Sequence, residues 1–227
     1  GKTPPRHLHD LGVLNRRLTG AHCTYATEAD TQLMKNSGMG ILHCRSVTNP
    51  LTRWIDLGIP IGLGTDDYFH DMFELMRQNA AGQRARAQSV GGYDGMLSGS
   101  PMTARPSYYE LLDLATRRGA EALGFDREIG SLEPGKRADV IIVNMLNPYL
   151  TPTKDPLTSM VLYGTPGDVD TVIVDGNILK QNGKLTTIDT EKALLKAQKR
   201  TDKIIERFFE DHPEQKKNWE TMTRYGE

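Results

Sequence analysis

No apolar run in this 227-residue chain approaches the roughly 20 residues that a bilayer span needs. Its first residues, Gly1-Lys2-Thr3-Pro4-Pro5-Arg6-His7, lack the apolar stretch of a secretory leader. An excess of one charge is missing too. The 28 Lys+Arg against 29 Asp+Glu give a net charge of -1 and a pI near 6.7. That balance excludes the electropositive footprint of a nucleic-acid binder or of a protein held on an anionic membrane. Cysteine is scarce: Cys23 and Cys44 are the only two, and both sit in apolar, strand-like runs. They read as reduced and buried rather than bridged, which suits the cytoplasm. The length exceeds a typical domain but fits one large one.

Of what is present, the most informative stretch is Gly58-Ile59-Pro60-Ile61-Gly62-Leu63-Gly64-Thr65-Asp66-Asp67. An apolar β-type run ends in glycine and threonine, and two carboxylates follow at once. A buried parallel strand has this character, and in α/β barrels the chemistry sits where such a strand meets its loop. An Asp there is placed to ligate a metal, to act as a base, or both. Read locally, Asp66 is equally an N-cap for the next helix.

Two similar units precede it. Leu18 to Tyr25 reads as a small strand carrying His22. Thr27-Glu28-Ala29-Asp30 opens a helix that runs to about Gly38. Gly38 to Cys44 is the next strand, with His43 near its end, and Leu51 to Leu57 is a short helix closed by Gly58. Short apolar strands alternating with helices argue for a parallel sheet, with His22, His43 and Asp66 on one rim. His7 and His9 have a metal-like H-x-H spacing, but they fall in a short amphipathic helix reaching about Leu14. Residues two apart on a helix do not face each other.

A helix begins at Asp71 and runs to about Gln88, followed by a glycine-rich loop, a candidate lid, over 90–101. Ser107 and Glu110 have capping-box spacing, and a helix over 109–123 follows, ended by Gly124. Beyond it lie strands over 140–143 and 169–174. Asp175-Gly176 is a two-residue hairpin turn, with a return strand over 177–180. Residues 190–209 form a charged amphipathic helix, and the remaining tail is polar and loosely held, with Trp219 able to pack down.

The motifs His22-Cys23, His43-Cys44 with Ser46 and Asn49, Gly62-Leu63-Gly64-Thr65-Asp66, Ala115-Thr116-Arg117-Arg118-Gly119-Ala120 and Ile129 through Asp139 follow one another in a recognisable order. Over about residues 5–185 the chain resembles the C-terminal portion of a metal-dependent amidohydrolase, of the branch holding aminohydrolases, deaminases and triazine chlorohydrolases.

The resemblance implies an α/β fold: the end of a TIM-like (β/α)8 barrel, then part of a small β-sandwich and a C-terminal helix. Residues 1–125 would hold barrel strands six to eight, 126–188 the sandwich portion, and 189–227 the helix and tail. It implies that Asp66 binds a catalytic divalent metal, zinc or else iron, and shuttles a proton, while His22 hydrogen-bonds the attacking water or the substrate. His43, Ser46 and Asn49, with Asp67 and Tyr68, would line the substrate pocket. Tyr68, Phe69, His70 and Tyr93 are candidates to stack on a ring.

The family's H-x-H on strand one, its strand-five histidine and an acidic proton-transfer residue have no counterpart. The chain is therefore expected to be a segment of a longer enzyme or one half of a split one, completed by a further chain or by self-association. With a single ligand, Asp66, it is not expected to hold metal tightly alone. The function implied is hydrolysis of a C–N or C–Cl bond in a small heteroaromatic or cyclic molecule. The alternative is a non-catalytic structural or oligomerisation subunit.

Overall fold

Three short strands with intervening helices organise the first part of the chain in the computed structural model, which describes residues 1–44, 49–67, 70–83, 85 and 105–223. Strand β1 (Thr19–Ala21) pairs in parallel with β2 (Gly40–Cys44), and β2 pairs in parallel with β3 (Ile61–Gly64). Helix α1 (Pro4–Asp10) precedes them, α2 (Glu28–Ser37) joins β1 to β2, and α3 (Leu51–Asp56) joins β2 to β3. The caps explain where α2 lies. Thr27 Oγ1 accepts from the Asp30 amide at 3.1 Å, while the Asp30 carboxylate accepts from the Thr27 amide at 2.9 Å. Gly38, at φ 69°, ends the helix in the left-handed conformation that glycine adopts without strain.

The core gathers between these elements. Met34, Ile41, Leu51, Trp54, Ile59 and Ile61 have no solvent exposure, and Trp54 Nε1 donates to Thr31 Oγ1 at 3.2 Å, so its one polar atom is satisfied inside. Successive side chains of β2 point to opposite faces. On the Gly40 and Leu42 face lies helix α6 (Arg117–Leu123). A Cβ on Gly40 would stand 2.0 Å from the Ala122 carbonyl oxygen, and one on Gly62 would stand 3.0 Å from Gly119 Cα. On the opposite face the His43 ring meets Trp54 of α3 edge-on at 6.4 Å. The sheet thus carries a helix against each face.

The backbone departs from expectation in places. β1 stops at Ala21 rather than continuing to Tyr25, because His22 (φ 61°) and Cys23 (φ 50°) enter the left-handed region, where no strand continues. Helix α1 stops at Asp10, short of the expected Leu14. Asp71 opens a helix over 72–83 (α4), and the glycine-rich loop with Tyr93 lies outside the described residues. The helix expected over 109–123 is two, α5 (Tyr108–Ala115) and α6, broken at Thr116 with φ -129° and ψ -97°. The Thr116 hydroxyl donates to the Leu112 carbonyl at 2.7 Å, and the break lets Gly119 come down on Gly62.

After α6 come β4 (Val140–Val143), α7 (Pro156–Tyr163), β5 (Val169–Val174) and β6 (Asn177–Gln181). β4, β5 and β6 are antiparallel neighbours in that order. Asp175 and Gly176, at φ 50° and 77°, make the tight turn between β5 and β6. By its contacts the chain divides into two units, Gly1–Gly183 and Lys184–Glu227. The second unit holds β7 (Lys184–Leu185), α8 (Thr190–Asp211) and α9 (Pro213–Thr223). The tail expected to be loose is thus a helix, α9, and the Trp219 ring lies 6.0 Å from that of Phe209 on α8. No helix among the described residues is long and apolar enough to cross a membrane.

Candidate metal centre

Three side chains converge at the C-terminal ends of β1, β2 and β3. His22 follows β1, Cys44 ends β2, and Asp66 stands two residues beyond β3. His22 Nε2 and Asp66 Oδ2 are 3.2 Å apart. With Cys44 Sγ, the potential ligand atoms all lie within 4.8 Å of one another. The His22 and Asp66 side chains are 46% and 44% exposed, so the pair is open to a small molecule. A contact so exposed adds little stability by itself.

Both residues sit in a backbone conformation that non-glycine residues rarely adopt, His22 at φ 61° and Asp66 at φ 60°. Such a placement costs about 1–2 kcal/mol per residue, so surrounding contacts must hold it. For His22 they are visible on both sides of the residue. Its amide donates to the Leu42 carbonyl at 2.9 Å, and its carbonyl accepts from Asn49 Nδ2 at 2.7 Å. For Asp66, Oδ1 accepts the Asp67 amide at 2.8 Å, which leaves Oδ2 turned toward His22. Among the described residues Asp66 caps no helix. Asp71 does, its Oδ1 accepting from the Phe73 and Glu74 amides at 2.9 and 3.1 Å.

Beneath this pair lies a buried polar cluster. His43 and Asn49 have no solvent exposure, and Asn49 Nδ2 stands 3.5 Å from His43 Nδ1. The Asn49 amide must present nitrogen to the His22 carbonyl. That nitrogen also faces His43 Nδ1, so Nδ1 is assigned as the acceptor and Nε2 as the protonated atom. Burial pushes the His43 imidazole down to about 4, so it stays neutral near pH 7. Among the described residues, His43 Nε2, Asn49 Oδ1 and Asn79 Oδ1 find no hydrogen-bond partner.

The Cys44 thiol is nearly buried, at 8% exposure. Burial first, and the Asp66 charge second, push its pKa above the ordinary thiol value. Cys44 and Cys23 are both free. Asp67 is exposed beside Asp66, while Ser46, Tyr68 and Phe69 lie outside the described residues. His7 and His9 stand on the exposed helix α1, away from the cluster. The residue that sequence reasoning passed over is Cys44. An imidazole nitrogen, a carboxylate oxygen and a thiol sulfur make a donor set that suits zinc.

The sequence profile of the amidohydrolase family matches residues 2–179. Among curated proteins, a 5-methylthioadenosine/S-adenosylhomocysteine deaminase of Thermoanaerobacter pseudethanolicus is 32% identical over 218 residues, 91% of this chain and 48% of the relative. That of Desulfitobacterium hafniense is 34% identical over 217 residues, 91% and 47% of the two chains. The chain spans about half the length of the curated relatives it matches. Among solved structures, an adenosine deaminase from Xanthomonas campestris with bound zinc superposes with a TM-score of 0.77 at 27% identity, over 90% of this chain and 46% of that one. An atrazine chlorohydrolase from Arthrobacter aurescens, complexed with zinc, reaches 0.72 at 24% identity over 86% and 43%, a likeness of fold alone.

Proposed function

Because the chain belongs to the amidohydrolase family, we propose that it carries the Asp66 side of the active site of a metal-dependent hydrolase that removes an amino group from a small heteroaromatic substrate. The single observation that carries this reading is the His22 Nε2 to Asp66 Oδ2 approach of 3.2 Å at the ends of parallel strands. In this reading β1, β2 and β3 are strands six, seven and eight of a barrel, and β4 to β6 belong to a small sandwich. The remaining strands come from a longer form of the chain, a partner chain, or a second copy.

A bound divalent cation, zinc by analogy with the relatives crystallised with it, supplies water of lowered pKa near neutral pH. Asp66 would hold that cation through Oδ2 and take the proton from the attacking water, passing it to the leaving amine. His22 would donate from Nε2 to the developing oxyanion. Asn49 and the neutral His43 act from beneath, on the His22 backbone, and Asp67 would face the substrate. The relatives named as deaminases of adenosine-type nucleosides make a purine nucleoside the first substrate to try, with chlorotriazines second.

Asp66→Asn in the complete enzyme is expected to lower turnover by about 10²-fold or more, the usual worth of a positioned acid–base group. Full activity in that variant would refute the assignment. Screening 5-methylthioadenosine, adenosine and a chlorotriazine for released ammonia or chloride separates deamination from dechlorination. A non-catalytic, oligomer-forming role has one observation in its favour: Leu194, Leu195, Ile204 and Phe208 of α8 are exposed, at 64%, 59%, 69% and 46%. A stable homo-oligomer of the 227-residue chain that binds no metal would favour that second reading.

A further inference from the structure

We propose that Cys44 is a third metal donor, so that His22, Cys44 and Asp66 together bind a soft or borderline divalent cation within this chain alone. The proposal rests on the reading of Asp66 as a ligand and adds two donors to it, His22 and Cys44. It concerns this chain alone, whereas the hydrogen-bonding role of His22 Nε2 given above is that of the complete site. Three protein ligands and an open fourth position is the arrangement of catalytic zinc sites. Here the three come from the ends of three neighbouring strands, β1, β2 and β3, so the sheet itself sets their spacing. Two nitrogen or oxygen ligands on one tetrahedral zinc, each at about 2.0–2.1 Å, lie about 3.3 Å apart. His22 Nε2 and Asp66 Oδ2 are already at 3.2 Å.

The sulfur has room to join them. Cys44 pairs in register with Gly64, where an added Cβ would stand 3.2 Å from Sγ. The missing side chain at position 64 is what keeps the space beside the sulfur open. Sγ makes a long 3.7 Å contact to the Leu42 carbonyl and a further one to the His22 backbone amide. Closing the donor atoms from a spread of at most 4.8 Å to the roughly 3.5 Å expected between sulfur and oxygen on zinc needs only a small side-chain movement. The thiol proton leaves to solvent as the metal binds. A thiolate in the set favours zinc, cadmium or cobalt over magnesium or calcium.

The test titrates the intact 227-residue chain with Co²⁺ under reducing conditions and follows the near-ultraviolet thiolate-to-cobalt charge-transfer band. One equivalent of cobalt is expected to bind with that band. Cys44→Ser should abolish the band and weaken cobalt binding at least tenfold, Cys44→Ala should do the same, and Cys23→Ser should leave both unchanged. Circular dichroism of each variant checks that it is folded. A band that survives in either Cys44 variant overturns the proposal, as does cobalt bound without the band, or no binding by the folded chain. Asp66→Asn separates the two readings. Cobalt affinity lost in that variant but untouched by Cys44→Ser removes Cys44 and keeps Asp66, whereas affinity and band unchanged in Asp66→Asn remove the ligand role of Asp66.

Discussion

Asn49→Ala tests the local structure on which the candidate site depends. Asn49 is fully buried, and its side chain supplies the 2.7 Å hydrogen bond to the His22 carbonyl. Truncation leaves that carbonyl and His43 Nδ1 without their partner. A buried polar group deprived of its partner costs about 1–3 kcal/mol. The His22 carbonyl is only partly buried, so the two losses together come to about 2–4 kcal/mol, with the left-handed strain of His22 no longer held. Against a total stability of roughly 5–15 kcal/mol this is readily measured. Urea denaturation of the chain should show a lower midpoint at unchanged slope. Asn49→Asp keeps the volume but sets carboxylate oxygens against two acceptors, and near pH 7 it should destabilise at least as much. The reasoning fails if Asn49→Ala loses less than about 0.5 kcal/mol, or if Asn49→Asp is as stable as the parent.

Gly40→Ala would put a methyl group 2.0 Å from the Ala122 carbonyl oxygen, a backbone atom that cannot swing aside. β2 and α6 must then separate, for about 1–3 kcal/mol or more, and a thermal melt unchanged within error would contradict the close packing. His43 predicts an acid-sensitive window. The unfolded chain takes up the imidazole proton near 6.5, whereas the folded chain resists it down to about 4. The unfolded state thus binds more protons between those values. The His43 contribution is full above 6.5 and lost as pH falls toward 4, by roughly 3 kcal/mol at most. Denaturation of the parent and of His43→Gln across that range should give a steeper loss in the parent; parallel profiles would mean that His43 is not held neutral by burial.

Much of the fold could be read from the chain because its signals are local. Thr27 and Asp30 form their reciprocal cap, Gly38 and Gly58 turn left-handed behind their helices, and Asp175-Gly176 makes its turn. The failures arise where tertiary contacts decide. Nothing in Ala115-Thr116-Arg117 announces a break, since the gain lies in bringing Gly119 onto Gly62, a partner 57 positions earlier. Helix α7 carries no periodic signal, since its residues are apolar without a helical stripe. Its legible sign was Asp155 before Pro156, with Asp155 Oδ1 accepting from the Thr158 amide at 3.2 Å. Helix α9 is polar around much of its surface, so periodicity is silent there, and Pro213 with Glu214 in the first turn was the available start signal.

The adjacent residues His43 and Cys44 show how one position decides which face of the sheet a side chain serves. By side-chain chemistry histidine is the more obvious functional group, and a cysteine in an apolar run reads as buried filling. In a strand, neighbours point to opposite faces, so a rim that admits one of them turns the other away. The register decides which. Cys44 aligns with Gly64 and His43 with Leu63. The glycine leaves an open space for sulfur on the face where His22 and Asp66 meet, whereas His43 goes to the other face, against Trp54, and is buried there. The same alternation sets His43 against Asn49. From the opposite face it contacts Asn49, and Asn49 holds the His22 carbonyl. Its effect on the site is thus exerted through another residue's backbone. Replacing His43 should change the site by letting His22 move, while replacing Cys44 should change the donor set directly.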